Sequence, residues 1–196
     1  MRRITVFKLL FLIFALHIFA AELNNPVYTL KIYFDTKETD NSIKKFPKGT
    51  ARFLREISKT LNEKLLQFFL SQNIHLYLKR GLASDYTVLY TFPKAYIQAI
   101  SLKEQESDNF IKYSYGYKIS VDVALYIFKT SSNPQLVCYK VFSFKRYYPP
   151  SSQYLPVFTS LSEGIAEIFF LQMKSVLKNF IGKEKEKLEY YRNIGK

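Results

Sequence analysis

The sequence predicts an α+β protein, a two-layer sandwich in which a mostly antiparallel sheet carries two long amphipathic helices on one face. Two stretches with helical spacing of apolar residues and one long stretch of apolar–polar alternation support this prediction. The length of 196 residues suits one domain. We expect a signal peptide over 1–21, a single domain over 22–182 and a charged C-terminal tail over 183–196.

The N-terminal segment has the pattern of a secretory signal peptide. Arg2, Arg3 and Lys8 precede an apolar run that ends at the small residues Ala20 and Ala21. The run is shorter than the roughly 20 apolar residues of a membrane span, so cleavage and export are favoured over an uncleaved anchor. Cleavage would remove three positive charges and lower the formal net charge from +13 to +10. This excess of positive charge favours an anionic partner such as lipopolysaccharide or another anionic envelope component.

The numbers of Cys and His residues exclude several kinds of site. The chain has one Cys, Cys138, and two His, His17 and His75. One Cys rules out an intramolecular disulfide and a Cys-rich zinc or iron–sulfur site. Because His17 lies in the leader, His75 alone remains for a two-His metal site. We therefore predict no cofactor and no enzymatic activity, with Cys138 as a buried thiol and His75 as an ordinary structural residue.

The first elements of the mature chain are a strand and a helix. The β-branched and aromatic residues of 27–35 predict a strand, and a polar loop is expected over 40–48. From 50 to 72, apolar residues recur at steps of three and four, which predicts an amphipathic helix of about six turns. A further strand is predicted over 74–79, followed by a turn at Gly81.

Two strand segments and a charged connection come next. Residues 86–91 and 96–102 are predicted as strands on either side of Pro93, which interrupts the pattern. The charged residues of 103–109 are predicted as a turn or loop.

A long β-hairpin is the clearest β-structure. Over 111–127 apolar residues occupy the odd positions, and polar residues occupy most even positions up to Asp122, which predicts one buried and one wet face. Beyond Asp122 both faces are apolar, so that end is expected to be more enclosed. Residues 131–134 form the turn, and 136–147 return as the partner strand until 149–150, two prolines that we expect to end it.

The second amphipathic helix closes the domain. Its apolar stripe runs over 161–180, and Gly182 is expected to cap its C-terminus. Ser160 and Glu163 have the spacing of a capping box, whereas Pro156 fits an earlier helix start.

Basic and aromatic residues of the hairpin form the candidate binding site. The six candidates are Lys112, Lys118, Lys140, Lys145, Arg146 and Tyr147. Cationic side chains bind phosphates, and aromatic rings contact acyl or sugar groups. The alternative is a solubilising polar face. Tyr113, Tyr115 and Tyr117 form a row that fits either the rim of the core or an amphipathic surface for a lipid or partner.

Three stretches of the chain resemble the lipopolysaccharide-assembly lipoprotein family (LptE). Residues 84–86, Ser-Asp-Tyr, open a strand after the first helix and strand, where the family has a small residue, Asp and an apolar residue. Residues 113–128 resemble its long alternating strand, and 145–148, Lys-Arg-Tyr-Tyr, resemble the end of its next strand. The element order over 27–181 is similar as well. The family is normally lipidated, and this leader lacks the required Cys.

The resemblance implies a non-catalytic protein of the periplasm or outer membrane. It implies binding of lipopolysaccharide and of an outer-membrane β-barrel, with Arg146 and nearby Lys residues contacting phosphate. The predicted leader, in turn, argues against nucleic acid as a partner. Three other functions fit the sequence: an auxiliary periplasmic component of an ABC-type transport or secretion system, a hydrolase with a carboxylate site, and, if the leader is misassigned, a cytosolic nucleic-acid binder.

Overall fold

The structure is a computed structural model that describes the backbone of residues 29–79, 84–107, 110–151 and 158–194. Within these ranges, it describes all side chains except those of 103–107, 110–113, 151, 158–159 and 192–194. The predicted signal peptide and the turn at Gly81 lie outside the described residues.

The described chain forms one five-stranded sheet with three helices. The elements are β1 (Lys31–Asp35), α1 (Lys37–Ile43), α2 (Lys48–Ser71), β2 (His75–Tyr77), β3 (Tyr86–Ser107), β4 (Phe110–Lys129), β5 (Gln135–Ser151) and α3 (Phe158–Ile194). The strand order is β2-β1-β3-β4-β5. β1 is parallel to β2 and β3, whereas the long pairs β3–β4 and β4–β5 are antiparallel. The predicted α+β class, with a mostly antiparallel sheet, is confirmed.

One hydrophobic core lies between the sheet and the helices. The odd-numbered residues of β4 from Ile119 to Ile127 are buried, as the alternation predicts, and they share a core with apolar residues of α2 and α3. A tyrosine makes polar contacts within this core: the Tyr90 hydroxyl of β3 donates to Asn62 Oδ1 (2.7 Å) and lies 2.9 Å from Ser58 Oγ. Burial raises the pKa of Tyr90 above its usual value.

The predicted loop over 40–48 is in part a short helix. α1 is polar in composition, so its sequence lacks the apolar spacing of a helix. Its side chains instead bind the backbone of β3: Thr39 Oγ1 donates to Tyr90 O (2.6 Å), and Phe92 N–H donates to Ser42 Oγ (3.1 Å). These bonds hold α1 beside the register shift of β3 between Thr91 and Lys94.

β3 is one continuous strand of 22 residues, which corrects two predictions. Pro93 lies within a register shift against β4 and does not end the strand. The charged segment predicted as a loop also pairs with β4, for example Lys103 with Tyr113 and Glu104 with Lys112. Pairing with a long partner strand therefore overrides the local preference of charged residues for a loop.

β5 continues through its two prolines to Ser151, so the predicted strand end at 149–150 is wrong. Between Tyr148 and Ser151 the strand shifts register against β4, opposite Gly116. A Cβ atom added at Gly116 would lie only 2.5 Å from Tyr148 O and 2.7 Å from Pro150 N. Glycine thus allows the proline segment to approach β4 closely.

α3 continues past Gly182 to Ile194, so the predicted helix cap at Gly182 is wrong, and Ser160 lies inside the helix. Side chains anchor the extension. Glu184 Oε2 accepts a hydrogen bond from the Tyr86 hydroxyl (2.6 Å), and Lys185 Nζ donates to Gln72 O. Throughout the described chain, every helix is too short or too polar to span a bilayer.

Candidate functional site

The register of the β4–β5 hairpin divides the five candidate residues whose side chains are described between the two faces of the sheet. Lys118 lies opposite Tyr147, and Ser120 lies opposite Lys145. These side chains alternate with the buried core residues and therefore project away from the helices.

The remaining candidates do not join that group. Lys140 lies opposite Leu125 and Arg146 opposite Ile119, so both project toward the helix layer at the edge strand. The Arg146 guanidinium lies 5.1 Å from the ring centroid of Tyr148, a cation–π contact within β5. Lys112 lies in β4, but its side chain is outside those described. Because neighbouring residues of a strand point to opposite faces, Lys140 and Arg146 lie on the face opposite to Lys118 and Lys145.

We call the surface turned away from the helices the open face. On β4 and β5 it consists of Lys118, Ser120, Asp122, Ala124, Tyr126, Phe128, Tyr139, Val141, Ser143, Lys145 and Tyr147. No helix of the described chain covers it, since all three helices share the core on the other side.

The open face has an aromatic half near the hairpin turn. The Tyr126 ring lies 5.0 Å from that of Tyr139 and 6.1 Å from that of Phe128, measured between centroids. Tyr139 and Val141 remain 53% and 40% exposed. Ala124 is fully buried, and Tyr126 and Phe128 are half-buried, whereas Lys118 before Asp122 is exposed, so this end is the more enclosed one, as the sequence predicts. Exposed apolar surface of this kind is typical of an interaction site.

The opposite half of the open face is cationic. Lys118 and Lys145 are diagonal neighbours across the β4–β5 pair, so their Cβ atoms are roughly 7–8 Å apart or less. Tyr147, directly opposite Lys118, is 57% exposed. Asp122 lies between the two halves. Its Oδ1 atom is buried and finds no hydrogen-bond partner among the described residues. Two ammonium groups and a ring are thus available to a phosphate-bearing ligand.

The structure also shows where the other residues singled out in the sequence lie. Cys138 is half-buried beside the core, not fully buried as predicted. His75 is exposed on β2, and its ring lies 6.0 Å from that of Tyr77. Tyr115 is exposed whereas Tyr117 packs against the core, so the predicted tyrosine row is not uniform where its side chains are described. No cluster of three His, Cys, Asp or Glu residues that could hold a metal ion occurs in the described ranges.

Asp85, in one of the family-like stretches, connects three strands. Its Oδ2 atom accepts from Lys31 N–H (2.8 Å), and its own N–H donates to Lys31 O (2.8 Å). Its carbonyl accepts from Thr130 N–H (2.8 Å). This residue therefore fixes the start of β1 against β3 and the end of β4, which is a structural role.

Comparisons with known proteins give no family. Neither a family model nor a curated protein matches the chain. A minor lipoprotein from Acinetobacter baumannii is similar in structure, with 9% identity, coverage of 74% of this chain and 92% of that one, and a TM-score of 0.34. A Helicobacter pylori protein described as a neuraminyllactose-binding hemagglutinin homologue has 13% identity, coverage of 85% of both chains and a TM-score of 0.34. A hypothetical protein from Chlamydia trachomatis has 11% identity, coverage of 61% and 70%, and a TM-score of 0.26. At these TM-scores the similarities do not identify a function.

Proposed function

We propose that this protein is a non-catalytic binding module of the cell envelope, exported to the periplasm or the outer membrane. In this proposal it binds lipopolysaccharide, or another anionic envelope component, on the open face and assembles with an outer-membrane β-barrel. The observation that carries the proposal is the position of Lys118, Lys145 and Tyr147 on a sheet face that no described helix covers and that continues into the exposed Tyr139 and Val141.

The two halves of the open face match the two parts of an anionic amphiphile. The ammonium groups of Lys118 and Lys145 can donate charge-assisted hydrogen bonds to phosphate oxygens. Tyr126, Tyr139 and Val141 offer apolar surface to acyl chains or to the faces of sugar rings. Lys94, opposite Asp122, adds positive charge on the neighbouring strand. The cationic half and the aromatic half adjoin, which favours a ligand that has both an anionic part and an apolar part over a simple anion.

The partner protein is the second part of the proposal. β5 is the last strand of the described sheet, and among the described strands it pairs with β4 alone, so the backbone groups of its second edge could accept a strand of another protein. Its basic residues, Lys140, Lys145 and Arg146, occur without any acidic residue in β5. Like charges oppose pairing with a second copy of this strand and favour a different partner. The choice of a β-barrel as this partner rests on the sequence resemblance.

A charge-removal experiment tests the lipid site. We expect the double substitution Lys118→Gln/Lys145→Gln to weaken binding of the full chain to vesicles that contain lipopolysaccharide by about 30-fold, because each lysine near an anionic surface contributes about 1 kcal/mol. Co-sedimentation at constant ionic strength measures this change. Vesicles of zwitterionic lipid should bind neither protein.

The matched control is Lys140→Gln/Arg146→Gln, which removes two charges from the same hairpin on the opposite face. It should keep nearly the affinity of the unmodified chain. An equal loss in both variants would show that net charge alone drives binding, and unchanged binding after Lys118→Gln/Lys145→Gln would contradict the proposed site.

A further inference from the structure

A second concave site lies in the helix layer, on the far side of the sheet from the open face. We call it the helix groove. It runs between α2 and α3, has a volume of about 340 Å³ and is lined mainly by Lys64, Phe68, Ser71, Phe170, Lys174 and Lys178. This volume is near the lower end of the range of roughly 300–1,000 Å³ for small-molecule sites.

Two phenylalanine rings form the apolar part of the groove. Phe68 of α2 is almost fully buried, and Phe170 of α3 is half-buried. Two ammonium groups lie near the ring of Phe170, with Lys64 Nζ at 5.7 Å and Lys174 Nζ at 5.5 Å from its centroid. The site thus places positive charge directly beside an accessible aromatic surface.

The charges of the groove are only partly neutralised by the protein. Lys64 Nζ pairs with Glu167 Oε2 at 2.5 Å. Lys174 and Lys178, in contrast, form no ion pair with any carboxylate of the described residues. They are four residues apart on α3, where like charges are neighbours and repel each other, and α3 has no acidic residue three or four positions from either. A bound anion would relieve this repulsion.

We propose that the helix groove binds a phosphate group carried on an apolar chain, with the phosphate between Lys174 and Lys178 and the chain against Phe68 and Phe170. The volume accommodates one head group and part of one chain, not a lipid with several acyl chains. This site is independent of the open face, since it uses other residues on the opposite layer.

Calorimetric titration of the full chain with three probes tests the proposal. The probes are dodecyl phosphate below its micelle concentration, dodecyl maltoside with the same chain and no charge, and inorganic phosphate. We expect dodecyl phosphate to bind much more tightly than either other probe. Equal binding of inorganic phosphate would overturn the role of the chain, and equal binding of dodecyl maltoside would overturn the role of the charge.

Variants then locate the binding. We expect Lys174→Gln/Lys178→Gln to weaken dodecyl phosphate binding by about tenfold or more, because two charged contacts are lost. Lys45→Gln/Lys59→Gln removes two exposed charges of the helix layer outside the groove and should have no effect. Lys118→Gln/Lys145→Gln should also have none, and a loss in that variant alone would place the binding on the open face and overturn the proposal.

Thermal unfolding distinguishes a binding role from a structural one. Lys174→Gln/Lys178→Gln removes a repulsive pair and also the contact of Lys174 with the Phe170 ring. These two small effects oppose each other, so we expect a nearly unchanged melting temperature in the absence of ligand. Dodecyl phosphate should raise the melting temperature of the unmodified chain and not that of this variant. A variant that unfolds more easily without ligand would show that the two lysines serve the fold, which contradicts the proposal.

Discussion

At the scale of single residues, Tyr90 shows how a polar group can be part of a hydrophobic core. Its ring is fully buried and lies against the rings of Phe34 and Phe92, while its hydroxyl binds Asn62 and Ser58 of α2. The bond therefore fixes the position of α2 on β3. A buried hydroxyl that lost these partners would be costly, so the tyrosine and its partners are expected to act as a unit.

Substitution of Tyr90 by Phe tests this arrangement. We expect Tyr90→Phe to lower the free energy of unfolding at pH 7 by roughly 1–2 kcal/mol, because the buried Ser58 and the half-buried Asn62 lose a partner. Urea unfolding measures the change. The control Tyr139→Phe removes an exposed hydroxyl from the open face and should leave the stability unchanged.

The pH dependence of stability provides a second test with Tyr90→Phe. Burial raises the pKa of Tyr90 in the folded protein above the value of about 10 in the unfolded chain. The stability that depends on the neutral hydroxyl is therefore fully present below about pH 10 and is lost as the pH rises above it. Tyr90→Phe should lose less stability than the unmodified chain between pH 10 and 11. Burial and Glu184 raise the pKa of Tyr86 too, so part of the loss should remain.

At the scale of elements, the alternation of β4 and the spacing of α2 were sufficient to predict both, because each pattern reports which face is buried. Sequence patterns were insufficient where contacts with another element determine whether a segment forms a helix or a strand. Polar α1 is held by hydrogen bonds to β3, and the charged end of β3 is held by pairing with β4. The helix groove depends on how α2 and α3 pack together, and the sequence of either helix alone does not indicate this packing.

The β4–β5 contact at Gly116 provides a test of one such pairing. The three atoms nearest to an added methyl group there are backbone atoms of β5, all within 3 Å, so the proline segment would have to move. We expect Gly116→Ala to lower the free energy of unfolding by about 1–3 kcal/mol, the range for overpacking. Thermal or urea unfolding measures this effect.

Gly164 of α3 is the matched control. An added Cβ there has no heavy atom within 4 Å, and the residue is exposed inside a helix. Gly164→Ala should therefore raise the stability by up to about 1 kcal/mol, since alanine is the better helix former. A change of the same sign in both variants would contradict the steric explanation for Gly116.

At the scale of the whole molecule, the sheet separates two cationic surfaces of different shape. The open face is broad and includes Lys118 and Lys145, whereas the helix groove is concave and contains Lys174 and Lys178. The net charge of +13 predicts an anionic partner but does not say where it binds. The register of the hairpin and the packing of the helices divide these charges between the two surfaces, and the second edge of β5 pairs with no described strand.

Capture of the tagged full chain from detergent-solubilised envelopes tests whether the lipid and protein surfaces act separately. We expect mass spectrometry to recover an outer-membrane β-barrel together with lipopolysaccharide. Because Lys118 and Lys145 project from the open face and not along the β5 edge, Lys118→Gln/Lys145→Gln should keep the barrel and lose most of the lipopolysaccharide. Recovery of inner-membrane ABC-transporter subunits without a barrel would contradict the assembly proposal and favour an auxiliary role in transport.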